Sequence, residues 1–307
     1  MLECARVLEQ YNPKSVWIPE TWGAENFAML SAASQIFTRA HMGSSIINIY
    51  SRSPSLVAMG AATLDVISSG RLILGLGSST PKITCDLHGI KFHRPLTRMK
   101  EYIDIIRMAT SGNRINYDGQ IFKLRGFRLL VRPYRPQIPI YLAAVNDMML
   151  DLAWSHADGV VLYLRPPSEI RERIMPMQRR RRIKVCCQII TAVSHDSDAA
   201  RSRAKKTLAF YVSVGAIYRR FLAENGFGWE TKNILQEYER AGLVAASAAV
   251  SDRMLDILTI CGTPEECIKR ARTFAESGID VPILQFNPVG DPVKSMELAA
   301  KTFGEAK

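Results

Sequence analysis

The sequence has no apolar run near the ~20 residues that a spanning helix needs, so no membrane segment is expected. Its start, MLECARVLEQYNPK, lacks the apolar centre of a signal peptide, which makes a cytoplasmic location the expectation. The six cysteines, at 4, 85, 186, 187, 261 and 267, include no C-x-x-C pair. A zinc site and a disulfide framework are therefore not expected. The five histidines (41, 88, 93, 156 and 195) have no metal-ligand spacing, so no metal is expected. Without a G-x-S-x-G elbow, an H-E-x-x-H helix or a G-x-x-x-x-G-K-[ST] loop, hydrolase and P-loop readings fall away. No internal repeat, low-complexity tract or Pro/Gly-rich linker divides the chain, and residues 1–307 read as one domain.

What is present is apolar and basic. Hydrophobic residues make up 47% of the 307, enough for a large core. The net charge of +11 calls for anionic partners. Its densest run is Arg179-Arg180-Arg181-Arg182, with Arg171 and Arg173 before it, on a helix expected from Ser168. The run reads as a solvated helix face, a contact for an anionic cofactor tail, or a nucleic-acid contact. No interleaved aromatics support the last, and no nucleic-acid partner is expected.

Strand and helix patterns alternate. Seven apolar strands are expected near residues 16, 41, 71, 139, 159, 184 and 281. Helical periodicity is clearest over Leu96–Met108, where Leu96, Met99, Ile103 and Ile106 recur at spacings of three and four. Residues 113–136 read as a two-stranded excursion, and 196–260 as mostly helical. Thr263-Pro264-Glu265-Glu266 predicts a capped helix start. Continuous apolar strands between helices imply a parallel sheet covered on both faces. A closed TIM-type barrel needs eight strands, one more than this count.

Two segments could meet a ligand. Gly75-Leu76-Gly77-Ser78-Ser79-Thr80 departs from a dinucleotide fingerprint at Thr80 and Pro81. It reads as a strand end where backbone can approach a ligand, or as a plain tight turn. Asn146-Asp147 opens a helix after a strand, as a phosphate-binding N-terminus or an ordinary N-cap.

Several segments together resemble the luciferase-like monooxygenase superfamily. Ser15-Val16-Trp17-Ile18-Pro19-Glu20-Thr21 is similar to its second strand, and Met42–Pro54 to its third strand and turn. Ala61–Gly77 (AATLDVISSGRLILGLG) is the most specific match. Tyr117–Phe122, Pro139–Ala144, Ala157–Val160, Gly262–Glu266 and Gly278–Asp280 follow its pattern. The resemblance implies a TIM-type (β/α)₈ barrel, here lacking the family's first strand at the N-terminus. It also implies a homodimer or higher homo-oligomer acting on a small-molecule substrate.

Within the superfamily the chain resembles the F420-dependent branch, methylenetetrahydromethanopterin reductases included. That implies coenzyme F420, with FMN as the alternative, at the C-terminal strand ends. A non-proline cis peptide at Ser45–Ile46 would back the ring, and Asn48, Gly75 and Gly77 would line it. Val145, Asn146 and Asp147 would face the phosphate. Glu20 would be the catalytic residue. The family's Asp-His pair is Glu20-Thr21 here, so no imidazole stands at that point. Three functions follow: hydride transfer with F420, a flavin-dependent monooxygenase, or a non-catalytic paralogue.

Overall fold

The computed structural model describes residues 1–304. Two units make up the chain, one of residues 12–161 and one of residues 3–11 with 162 onward. Helix α1 (Leu2–Glu9) comes first. The 12–161 unit then runs β1 (Ser15–Ile18), α2 (Asn26–Ser34), β2 (His41–Ser44), β3 (Ile47–Asn48), α3 (Pro54–Ile67), β4 (Leu72–Gly77) and α4 (Pro95–Thr110). It continues through β5 (Ile115–Asp118), β6 (Lys123–Phe127), β7 (Ile140–Ala143), α5 (Asp147–His156) and the start of β8 (Gly159–Tyr163).

Its main strands are all parallel, in the order β1-β2-β4-β7-β8, with two-residue β3 paired to the end of β4. Leu72, Leu74 and Leu76 of β4 are buried, as are Ile140 and Leu142 of β7. Each such side chain is worth about 1.5–3 kcal/mol of transfer free energy. Helix α3 covers the core with Val57, Ala58, Ala61 and Leu64, and α4 with Met99, Tyr102, Ile103 and Ile106. The expected excursion is the antiparallel β5–β6 hairpin.

The Ala61–Gly77 motif braces this unit. Asp65 of α3 is wholly buried and accepts from Arg135 Nη2 at 2.6 Å, Nε at 3.1 Å and backbone N–H at 3.1 Å. Arg71 donates to the carbonyls of Phe37 at 2.6 Å, Ala40 at 2.9 Å and Ser68 at 2.7 Å. One guanidinium thus ties carbonyls of the α2–β2 connection to the turn after α3.

The other unit contains α6 (Pro167–Glu169), α7 (Met175–Met177), β9 (Lys184–Val193), α8 (Ser197–Val214), α9 (Ala216–Leu222), α10 (Gly228–Ala248) and α11 (Asp252–Leu258). Strand β10 (Thr259–Gly262), α12 (Pro264–Ala275), β11 (Val281–Phe286) and α13 (Pro292–Gly304) complete it. Strand β9 pairs in parallel with both β10 and β11. The capping box of α12 forms as expected between Thr263 and Glu266.

Three expectations change. The 196–260 stretch ends in a strand, because Thr259-Ile260-Cys261-Gly262 is fully buried beside β9. The strand expected over His41–Ile49 is broken into β2 and β3 by a cis peptide at Ser45–Ile46. The arginine run is not helical. Arg179 and Arg180 lie in a turn, and Arg181 and Arg182 in an irregular segment before β9. Gln178 closes that loop, donating to the Ile183 carbonyl at 2.8 Å and accepting from its N–H at 2.9 Å. Among the described residues no helix is long and apolar enough to cross a membrane.

Candidate functional site at the strand ends of the first unit

Parallel strands bring their C-terminal ends to one edge, where ligands of α/β sheets bind. At that edge the Ser44–Asn48 segment lies on the end of β4. Ser44 Oγ accepts from the Gly75 N–H at 2.7 Å and donates to the Gly75 carbonyl at 2.8 Å. A Cβ on Gly75 would collide with the Ser44 carbonyl oxygen, so glycine is required by close backbone approach. A Cβ on Gly77 would meet the end of the Ile46 side chain. Ser45, Ile46, Asn48, Gly75 and Gly77 are therefore neighbours.

Asn48 is buried, and its Oδ1 accepts from the Tyr50 N–H at 2.9 Å. Its Nδ2 is buried without a partner among the described residues. An unmade bond of this kind costs about 1–3 kcal/mol, and a bound acceptor would recover it.

Glu20, just past β1, belongs to the same cluster. Arg52 Nη1 and Nη2 donate to its two carboxylate oxygens at 2.7 and 2.6 Å, and the Asn26 N–H donates at 3.1 Å. Arg52 also pairs with Glu25 and packs 5.8 Å from the Phe27 ring centroid. Burial pushes the Glu20 carboxyl up. The Arg52 bonds and charge, with the N–H groups of Asn26 and Asn48, outweigh it and hold the pKa below the usual 4.5. The pair's stabilising contribution is thus fully present above pH 4.5 and lost as pH falls through the lower folded value. Urea midpoints should fall more steeply below pH 4.5 in the wild type than in Glu20→Gln. Parallel curves would show that the pair stabilises nothing.

Val145, Asn146 and Asp147 follow β7, whose Leu142 pairs with Leu76 of β4. They stand at the same edge as Gly77. Asn146 is an N-cap: its Oδ1 accepts from the Met149 N–H at 3.0 Å. Asp147 is exposed in the first turn and adds a negative charge there.

The family model for luciferase-like monooxygenases matches residues 1–281. The chain belongs to the luciferase-like monooxygenase family. It is 30% identical to 5,10-methylenetetrahydromethanopterin reductase of Archaeoglobus fulgidus over 298 residues, covering 93% of this chain and 89% of that one. Among solved structures it is similar to coenzyme F420-dependent tetrahydromethanopterin reductase from Methanopyrus kandleri. The TM-score is 0.86 and the identity 23%, over 98% of this chain and 94% of that one. A second likeness is to an F420-dependent secondary alcohol dehydrogenase in complex with an F420-acetone adduct. There the TM-score is 0.80 and the identity 19%, over 100% and 94%. These likenesses show the α/β, TIM-type fold class expected from the sequence.

For this family member, sequence reasoning missed Arg52 and Ser44. The signal for Arg52 was indirect: a carboxylate at a buried strand end needs a cationic partner. Ser44 carried none, because its role depends on the glycine opposite. The other unit holds a group that was missed as well. Tyr163 donates to Gln285 Oε1 at 2.7 Å, and its ring meets those of Tyr211 and Tyr218 edge-on at 4.9 and 5.6 Å. Burial pushes the Tyr163 hydroxyl pKa well up, so it stays protonated.

Proposed function

We propose that this chain is a coenzyme F420-dependent oxidoreductase, transferring a hydride between the deazaflavin and a small organic substrate. A molecule of the 5,10-methylenetetrahydromethanopterin kind is the substrate class that the Archaeoglobus relative's name suggests. The observation that carries the reading is the strand-end platform. Gly75 and Gly77 let the Ser44–Ile46 segment lie directly against β4, and Asn48 Nδ2, without a partner among the described residues, stands beside Gly77. This fits a flat ring that brings its own hydrogen-bond acceptor.

When bound, the deazaflavin supplies the hydride-carrying carbon. The Ser45–Ile46 segment, Asn48, Gly75 and Gly77 would bind and orient the ring. Val145, Asn146 and Asp147 would face the phosphate, with Asp147 working against an anion there. Glu20, held as a carboxylate by Arg52, can accept a proton or orient a substrate group at neutral pH. It cannot serve as a standing acid, and Thr21 adds no imidazole to help it.

Titration with F420 and with FMN, followed by cofactor fluorescence, tests this. F420 should bind at least tenfold more tightly, a difference of about 1.4 kcal/mol. Preference for FMN would instead favour a flavin monooxygenase, the activity for which the family is named. Binding of neither would favour a non-catalytic paralogue. Glu20→Gln should lower turnover about 100-fold while moving the F420 dissociation constant less than about threefold. Unchanged turnover would remove Glu20 from the mechanism.

The same reading includes a cytoplasmic homodimer. Helix α3 leaves Leu56, Met59, Val66 and Ile67 exposed along its outer face. An apolar stripe of this kind marks an interaction surface. Met59→Glu should shift sedimentation from dimer to monomer, and a monomeric wild type would remove the proposal.

A further inference from the structure

The unit from residue 162 onward contains a cleft of about 860 Å³, and none of its lining residues belongs to the site above. Helix α8, the end of α10 and the Pro288–Gly290 loop after β11 line it. Four cations reach it from α8: Arg201, Arg203, Lys205 and Lys206. Two of them are committed. Arg201 binds Asp252 and Asp256, each at 2.8 Å, and Lys205 binds Asp252 at 3.0 Å.

Arg203 and Lys206 make no ion pair with a described carboxylate. The other acid lining the cleft is Asp198, so the lining carries four positive and two negative charges, a net of +2. Arg203 is half-buried, and its guanidinium is anchored. Nη1 donates to Thr207 Oγ1 at 2.7 Å, Thr207 donates to Asn287 Oδ1 at 2.7 Å, and Asn287 Nδ2 donates to the Gln285 carbonyl at 2.7 Å. This relay fixes one nitrogen to the buried end of β11 and leaves the rest of the fork for a ligand. Burial without a counter-charge also depresses the Arg203 pKa. Lys206, three residues on, reaches the same helix face from a flexible stem.

We infer that this cleft is a binding site for the dianionic group of a small molecule, a phosphate ester or a dicarboxylate, with Arg203 as the anchored fork and Lys206 as the mobile second cation. Planar guanidinium donors suit both oxyanions, and charge-assisted bonds are the strong ones. The site does not depend on the cofactor assignment, because every residue in it lies outside the strand-end platform.

The test uses the full-length protein and isothermal titration calorimetry at constant ionic strength, with inorganic phosphate in one arm and glutarate in the other. Saturable binding of either dianion, absent with chloride, is the expected result, and the tighter arm identifies the chemistry. Arg203→Met should weaken that binding at least about tenfold, and Lys206→Gln about threefold. Lys269→Gln, which removes one exposed charge elsewhere in the same unit, should leave it unchanged. If Arg203→Met fails to fold, Lys206→Gln and Thr207→Val carry the test, since both leave the guanidinium in place. No saturable binding by the wild type, or equal weakening by Lys269→Gln and the cleft variants, would overturn the site.

Discussion

Gly75→Ala should lose about 3 kcal/mol or more of stability, a fall of roughly 5 °C or more in Tm, and should lose F420 binding with it. The methyl group would land on the Ser44 carbonyl oxygen, a backbone atom with little freedom to move. Ser44 is itself tied to both backbone groups of Gly75 through one hydroxyl. Relief therefore requires moving β2 or β4, whose Met42–Leu72 and Gly43–Ile73 pairs are parallel neighbours in the core. Gly77→Ala is the matched control. Its methyl meets the tip of the Ile46 side chain, which can rotate aside, so its cost should stay near ~1 kcal/mol. Thermal unfolding of the two variants decides the matter. Equal losses would mean that the strand end yields as readily as a side chain.

Arg135→Met should cost about 3–5 kcal/mol, because it leaves the Asp65 carboxylate buried with no cation. Asp65 shows no exposed surface, and three donors of Arg135 converge on it. Removing both charges together, in Asp65→Leu with Arg135→Met, should recover much of that loss, since the desolvation penalty vanishes with the pair. Urea unfolding of both single variants and the double variant gives the coupling. Additive losses would show that the two side chains act independently.

These two sites explain what could be read from the sequence and what could not. The Leu64-Asp65 and Gly70-Arg71 pairs in the most specific family match marked the fold correctly, yet nothing local disclosed their work. Asp65 is bound by a residue seventy positions away, and Arg71 by carbonyls more than thirty away. Strands with long apolar runs, Gly159–Tyr163 and Lys184–Val193, were legible to the residue, because nearly every position in them is buried. Thr259–Gly262 was hidden. Four residues directly after the seven-residue α11 are too few to show a period. The arginine run looked helical by continuity with its neighbours. In the structure the chain turns there, with the Gln178 side chain folded back onto Ile183. At the candidate site the glycines and Asn48 were readable as types. The Glu20–Arg52 pair was not, because its members stand thirty-two residues apart on different connections.

The cysteines, first met as a framework that was missing, give the molecule a chemical asymmetry. Cys186, Cys187, Cys261 and Cys267 are buried, and burial pushes all four thiols up. A thiol that stays protonated and covered is slow toward alkylating dyes. Cys85 is exposed, in the turn of residues 83–87 that follows the glycine-bearing end of β4, and Cys4 is half-covered on α1. A Cys4→Ser background would therefore accept one fluorophore, at Cys85, a few residues along the chain from Gly77. Such a dye would report events at the strand ends as a change in emission, with no need for the protein to turn over.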